Sequence, residues 1–245
     1  MPATPAWPPK SLPRLFVTTP LANGGAVEID AGQANYLGNV MRLGIGEHVL
    51  LFDGESGEWI ARIAEAGRKR MTLAVEDRTR EQEQVPDCWL AFAPVKRAQT
   101  DWLAEKATEL GIARFIPVLT QRTIVERVKL ERLQAIAIEA AEQCNRTSVP
   151  SIDEPLPLAS FLKGQAARTL YFADEGGGKP AAKALKPGPA TILTGPEGGF
   201  TEDERAAIRA APGAVAISLG PRILRAETAA LAAVTTYMAL AGDWR

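Results

Sequence analysis

Thr194-Gly195-Pro196-Glu197-Gly198-Gly199-Phe200 is the segment whose residue types are hardest to explain as packing. Its three glycines let the backbone turn through positive φ and come close to a bound group. The apolar run Thr191-Ile192-Leu193-Thr194 before it reads as a buried strand. Thr201 and Glu204 after it form a Thr-x-x-Glu capping box, in which each side chain satisfies a free backbone N–H at a helix start. Ligands in α/β sheets sit at the carboxyl ends of strands, so this is a candidate ligand loop. A plain strand-to-helix turn seldom needs three glycines. A second connection has the same form: Leu219-Gly220-Pro221-Arg222-Ile223-Leu224-Arg225-Ala226-Glu227-Thr228-Ala229. Its two arginines could stabilise negative charge, and its glutamate suits the dipole at a helix start. Alone it would be an ordinary loop with a solvated Arg–Glu pair. Two such loops in one domain point to a site.

Other chemistries find little support. Gly178-Lys179 is followed by Pro180, so no phosphate-binding P-loop is present, and no Gly-x-Gly-x-x-Gly turn follows a strand. Gly176-Gly177-Gly178 reads as a flexible surface loop. The cysteines are Cys88 and Cys144, and His48 is the single histidine. That set is too sparse for zinc, so no metal is expected. Cys88 lies in the apolar run Cys88-Trp89-Leu90-Ala91-Phe92-Ala93 and reads as buried packing. His48 reads as a surface residue at a strand end.

The elements that must position these loops fall into two groups. Arg14–Thr18, Ala26–Ile29, Glu47–Phe52, Trp59–Ile63 and Met71–Val75 read as short strands, with one helix over Ala34–Met41 and a turn at Asp53-Gly54. Such spacing suggests a small barrel. Glu76–Gln84 has almost no apolar content and reads as a linker. Beyond it strands alternate with helices: strands over Cys88–Pro94, Arg114–Leu119, Leu170–Ala173, Thr191–Thr194 and Ala214–Leu219, helices over Gln99–Leu110, Glu126–Cys144, from Thr201 and over Glu227–Ala241. The expected division is a Pro-rich tail over residues 1–13, a barrel over 14–80 and an α/β domain over 81–245.

The chain has 245 residues, of which 46% are apolar and 23% charged, and a formal net charge of -1. It is long enough to bury a core without staples, which excludes global disorder and disulfide scaffolds. No apolar stretch approaches the roughly 18–20 residues of a membrane span, and the N-terminus does not read as a secretory signal. A cytoplasmic protein with no membrane association is expected. The charge is even along the chain, so bulk attraction to nucleic acid is weak. Local basic groups would have to make any RNA contact: Arg14, Arg42 and the Arg68-Lys69-Arg70 cluster in the barrel, and Lys96-Arg97 in the second domain.

The two loops together resemble the bacterial small-subunit (16S) ribosomal RNA uracil-N3 methyltransferases, a family of the SPOUT class. Glu105-Lys106-Ala107-Thr108-Glu109-Leu110-Gly111 and Glu139-Ala140-Ala141-Glu142-Gln143-Cys144, continued by Arg146 and Val149-Pro150, support the likeness. It spans Arg14 to the last helix. Asn39 stands where relatives commonly carry a basic residue, and Asn145 replaces a common glycine.

The resemblance implies an α/β domain with a deep trefoil knot and an N-terminal PUA-like barrel that binds RNA. It implies S-adenosylmethionine bound by Leu193, Thr194, Gly195, Pro196, Glu197, Gly198, Gly199, Leu219, Gly220, Ile223, Leu224, Glu227 and Thr228. It further implies a homodimer with active sites near the subunit interface, acting on small-subunit RNA in the assembled particle. Methylation at uracil N3 requires loss of a weakly acidic proton. Glu142 is the candidate base, and Arg222 and Arg225 are the candidate stabilising cations. Two other readings stay open: a methyltransferase of the same class acting on a tRNA base or ribose, and a non-catalytic RNA-binding assembly factor.

Overall fold

Side-chain alternation sets the register of the first strands. The computed structural model describes residues 12–67, 70–125, 127–164 and 167–244. The chain divides into two compact units: one runs to Glu83 and includes Asn145–Ser148, the other comprises Gln84–Cys144 and continues from Val149.

The first unit contains β1 (Arg14–Phe16), β2 (Ala26–Ile29), α1 (Ala31–Asn35), a π turn (Tyr36–Val40), β3 (His48–Phe52), β4 (Glu58–Ala66) and β5 (Met71–Arg80). Its sheet has the order β1-β3-β4-β5-β2. The β1–β3 pair is parallel and the others are antiparallel. Met71, Leu73 and Val75 face inward, while Thr72 and Ala74 between them are only partly buried. They meet Val27, Ile29, Leu37, Val49, Leu51 and Ile63 in one core. Register shifts between β4 and β5 curl this sheet.

Two expectations change here. The helix starts at Ala31 because Asp30 caps it, its carboxylate accepting the Gln33 N–H at 2.9 Å; it then loosens into the π turn. The charged segment after Val75 is not a linker. β5 runs on to Arg80, and its polarity reflects charge pairing across the strands: Glu76 meets His48 and Arg62, and Arg80 meets Glu58.

Arg14 is also corrected: it is buried, and so is withdrawn as an RNA contact. Its Nε donates to Glu58 Oε2 at 2.8 Å, its Nη2 donates to the Arg146 carbonyl at 2.8 Å, and its guanidinium lies 4.7 Å from the Phe52 ring centre. Arg80 donates to the same Glu58 and to the Asn145 carbonyl. Asn145 itself has φ of 64°, a left-handed conformation that asparagine tolerates better than most residues. That explains why glycine is common at this place in the resemblance.

The second unit contains β6 (Cys88–Phe92), α2 (Arg97–Glu109), β7 (Arg114–Leu119), α3 (Leu130–Gln143), β8 (Ser151–Ile152), β9 (Leu156–Pro157), α4 (Leu158–Lys163), β10 (Thr169–Ala173), β11 (Lys179–Pro180), α5 (Ala181–Ala184), β12 (Ala190–Thr194), α6 (Glu202–Ala210), β13 (Ala214–Ser218) and α7 (Ala226–Leu240). The strand order is β11-β13-β10-β12-β6-β7-β8, with β9 beside β7, and every pair is parallel. Such a sheet must be covered on both faces. Leu90, Phe92, Tyr171 and Ile192 pack with residues of α2, α3 and α7 on one face. Ala91, Leu170, Phe172 and Leu193 pack with residues of α4 and α6 on the other. Ala230 and Ala233 keep α7 close to its face. Cys88 is fully buried, and burial pushes its thiol pKa up, so it is packing.

The expected helix from Glu126 begins only at Leu130, with Lys129 before it and no side-chain cap. β-Branched Val125 and Val128 favour the extended chain before it. No helix among the described residues is long and apolar enough to cross a membrane.

Glu58 makes a testable contribution to stability. Burial opposes its ionisation, but hydrogen bonds from Arg80 and Arg14 outweigh that and hold its pKa below the ordinary value. A depressed folded-state pKa gives stability that is complete above the unfolded value of about 4.3 and is lost as pH falls through the folded one. Glu58→Ala leaves the Arg14 charge buried without its carboxylate. Urea melts at pH 7 should show a loss of about 3–5 kcal/mol, and the gap between wild type and variant should narrow below about pH 4. A gap that is constant with pH would show that ionised Glu58 is not the source.

Candidate functional site

β13, β10 and β12 are adjacent and parallel, so their carboxyl ends at Ser218, Ala173 and Thr194 stand side by side. This is where α/β sheets place ligands. The three loops that leave these ends wall a cavity of about 380 Å³, within the roughly 300–1,000 Å³ of small-molecule sites.

Both expected ligand loops line it. Thr194, Gly195, Pro196, Glu197 and Gly199 come from the first, and Leu219, Gly220, Arg222, Ile223, Leu224 and Arg225 from the second. Five expected site residues do not line it. Leu193 is fully buried in the core on the α4–α6 face, because alternation along β12 turns it there. Gly198 is turned toward Arg122, which donates to its carbonyl at 2.6 Å. Glu227 is buried in the first turn of α7, and Thr228 is exposed beside it. Glu142 lies on α3 and is not a lining residue of its own chain's cavity.

The third wall was not anticipated. Asp174, Glu175 and Gly177 follow β10, and Arg205 reaches in from α6. The Asp174 side chain is buried; it pairs with Arg205 and Arg209 and accepts the Gly176 N–H at 2.8 Å. Arg205 Nη2 also donates to Glu175 at 2.6 Å. Acid and base are therefore balanced on this side. The Gly176–Gly178 loop is not free of packing constraint: a Cβ on Gly178 would stand 2.5 Å from the Ala216 carbonyl on β13.

Gly199 shows why the first loop needs glycine. Its φ is 68°, and a Cβ there would collide with Glu175 Oε1. The loop is held from behind by Glu204. That carboxylate accepts the Thr201 N–H at 2.9 Å in the capping box and the Gln121 N–H at 2.7 Å.

On the second loop, Arg222 and Arg225 are exposed at the cavity and make no ion pair with any described residue. One wall thus has its charges neutralised internally, while the other offers two open guanidiniums. Such a site can hold a ligand against backbone and stabilise an anion beside it. No group of three potential metal ligands occurs among the described residues.

The expected RNA-contact residues are dispersed. Arg42 is exposed with φ of 60°. Arg70 is exposed, 3.4 Å from Glu28. Lys96 and Arg97 are exposed at the start of α2. Arg68 and Lys69 lie outside the described residues.

Comparison with known proteins agrees with this architecture. Residues 81–238 match the model of an RNA methyltransferase domain, and residues 29–76 match that of an RNA methyltransferase PUA domain. The fold is thus an α/β methyltransferase domain preceded by a PUA domain. Ribosomal RNA small subunit methyltransferase E of Rickettsia conorii is 31% identical over 90% of this chain and 93% of its own length. The protein of the same name from Synechocystis is 33% identical over 93% of this chain and 77% of its own. The crystal structure of the Neisseria gonorrhoeae Ribosomal RNA small subunit methyltransferase E, bound to S-adenosyl methionine, superposes with a TM-score of 0.87 at 30% identity, covering 96% of this chain and 100% of that one. The chain belongs to this family of bacterial small-subunit ribosomal RNA methyltransferases.

The two adjacent glycines of the first loop should respond differently to a methyl group. Gly199→Ala strains a left-handed residue and displaces Glu175, so urea unfolding should show a loss of about 1–3 kcal/mol. Gly198→Ala meets only the flexible Arg122 side chain, at 3.3 Å, and should stay within about 0.5 kcal/mol. Equal losses would remove the special role given to Gly199.

Proposed function

We propose that this protein methylates N3 of a uridine in 16S ribosomal RNA, with S-adenosylmethionine as donor. The observation that carries the reading is the cavity at the ends of β10, β12 and β13, walled by the glycine loop and by the open guanidiniums of Arg222 and Arg225. Its volume and its close-approach glycines fit the donor. S-Adenosylmethionine, when bound, supplies a methyl group carried on a positively charged sulfur.

The protein's own contribution is placement and charge. The backbone at Gly195 and Gly199 can approach the donor closely because no side chain stands there. Arg225 and Arg222 stabilise the uracil anion formed as solvent water accepts the N3 proton. Holding donor and acceptor in line supplies much of the rate. Glu142 is set aside as the base within one chain, since it does not line that chain's cavity.

The enzyme works as a homodimer on the assembled small subunit in the cytoplasm. Ile223 supports the first point: it is 91% exposed at the cavity, as a residue covered by a second surface would be. The working division is a barrel over 14–80 and a methyltransferase domain over 81–245, the latter carrying the deep knot. Arg42, Arg70, Lys96 and Arg97 remain the candidate RNA contacts.

Arg225→Ala tests the catalytic assignment. Single-turnover methylation of small subunits should slow by about 10²–10³, with the donor dissociation constant, read by calorimetry, within about twofold of wild type. An unchanged rate removes Arg225 from the mechanism. Gly199→Ala should do the reverse, weakening donor binding before it affects the rate of the bound complex.

A further inference from the structure

Pro94 and Val95 leave the carboxyl end of β6, and beside them lies a second cavity, of about 110 Å³. This is well below the roughly 300 Å³ at which small-molecule sites begin, so it suits a single small group. Val95, Val125, Val128 and Leu133 form apolar wall. Arg97, Arg127, Lys129 and Arg132 also line it, and among the described residues the one lining carboxylate is Asp101. Asp101 is engaged by Arg132 at 2.8 Å and by Arg97 at 3.8 Å. Arg127 and Lys129 are exposed and make no ion pair with any described residue. The described lining residues therefore carry an excess of positive charge in a protein whose net charge is -1.

Position narrows what the charge is for. β6 pairs with β12 in parallel, with Phe92 opposite Thr194. Neighbouring strands lie about 4.8 Å apart. The basic cavity therefore stands on the same carboxyl edge of the sheet as the donor cavity, beginning one strand over. α2 and α3 both start at this cavity, on Lys96 and Lys129, and neither start has a side-chain cap. Their free N–H groups add to a field that the four cations already set.

We propose that this cavity seats one backbone phosphate of the substrate RNA, close to the nucleotide presented to the donor cavity. Arginine pairs with phosphate through two parallel hydrogen bonds, and Arg127 is open to do so. The small volume admits the phosphate and excludes a base. This inference rests on the proposed function, since it assumes that the substrate is RNA.

The test is salt-dependent binding of small ribosomal subunits from a strain lacking the modification. The double variant Arg127→Gln/Lys129→Gln should bind them about tenfold more weakly at 0.1 M salt. The slope of log affinity against log salt should become shallower by about 0.7–0.9, the share of one phosphate. Arg127→Lys/Lys129→Arg should retain most of both, and S-adenosylmethionine affinity should be unchanged in every variant. Unaltered subunit affinity and slope in the Gln variant would overturn the proposal. So would inorganic phosphate binding that the Gln variant loses while subunit binding stays intact, because the seat would then serve a free anion. If wild-type protein neither binds nor methylates subunits, the parent reading fails with it, and that is seen without any variant.

Discussion

β10 lies between β12 and β13, and all three run the same way. This arrangement places three carboxyl ends side by side and so decides what meets at the cavity. The glycine loop leaves β12, the arginine loop leaves β13, and Asp174-Glu175 leaves β10. Hydrogen bonding between parallel strands fixes the spacing, and cores on both faces hold the strands in register. The closeness of Gly199 to Glu175 is a direct consequence, because it joins a loop of β12 to a loop of β10. So is the contrast between a charge-balanced wall at Asp174, Glu175, Arg205 and Arg209 and an open one at Arg222 and Arg225.

Much of this site was legible in the residues themselves, and the rest was not for a definite reason. Gly195, Gly199, Gly220, Arg222 and Arg225 stand out because two glycine-bearing strand-to-helix loops, one rich in glycine and one carrying paired arginines, occur in one domain. The capping box at Thr201 and Glu204 is equally local and forms as expected. Asp174, Glu175 and Arg205 were missed because their place depends on strand order, which no local pattern encodes. Leu193 was overextended: its neighbour Thr194 lines the cavity, but alternation turns Leu193 into the core. Arg14 shows the same limit for charge. An arginine at the start of a strand looks like a surface cation until the fold brings Glu58, from a strand more than forty residues away, against it. The polar run Glu76–Arg80 misled in the opposite sense, since charge ladders across β4 and β5 mimic the composition of a linker.

Charge is the other constraint on function. With a net charge of -1, long-range attraction to RNA is slight. Specific groups have to do what bulk charge does elsewhere, and the structure keeps several of them open at one edge of the sheet. Arg222 and Arg225 stand at the first cavity, and Arg127 and Lys129 at the second. Most other arginines are engaged: Arg205 and Arg209 with Asp174, Arg168 with Asp87, Arg14 and Arg80 with Glu58. Open cations at the carboxyl edge fit an enzyme that binds an anionic polymer by placement and shape.

The most direct measurement is chemical mapping of the product. Small ribosomal subunits lacking the modification are incubated with the protein and methyl-labelled S-adenosylmethionine, and the RNA is digested and its nucleosides identified by mass spectrometry. The account predicts one labelled methyl group per particle, recovered as 3-methyluridine. Label recovered on a ribose, on another base or not at all would contradict it.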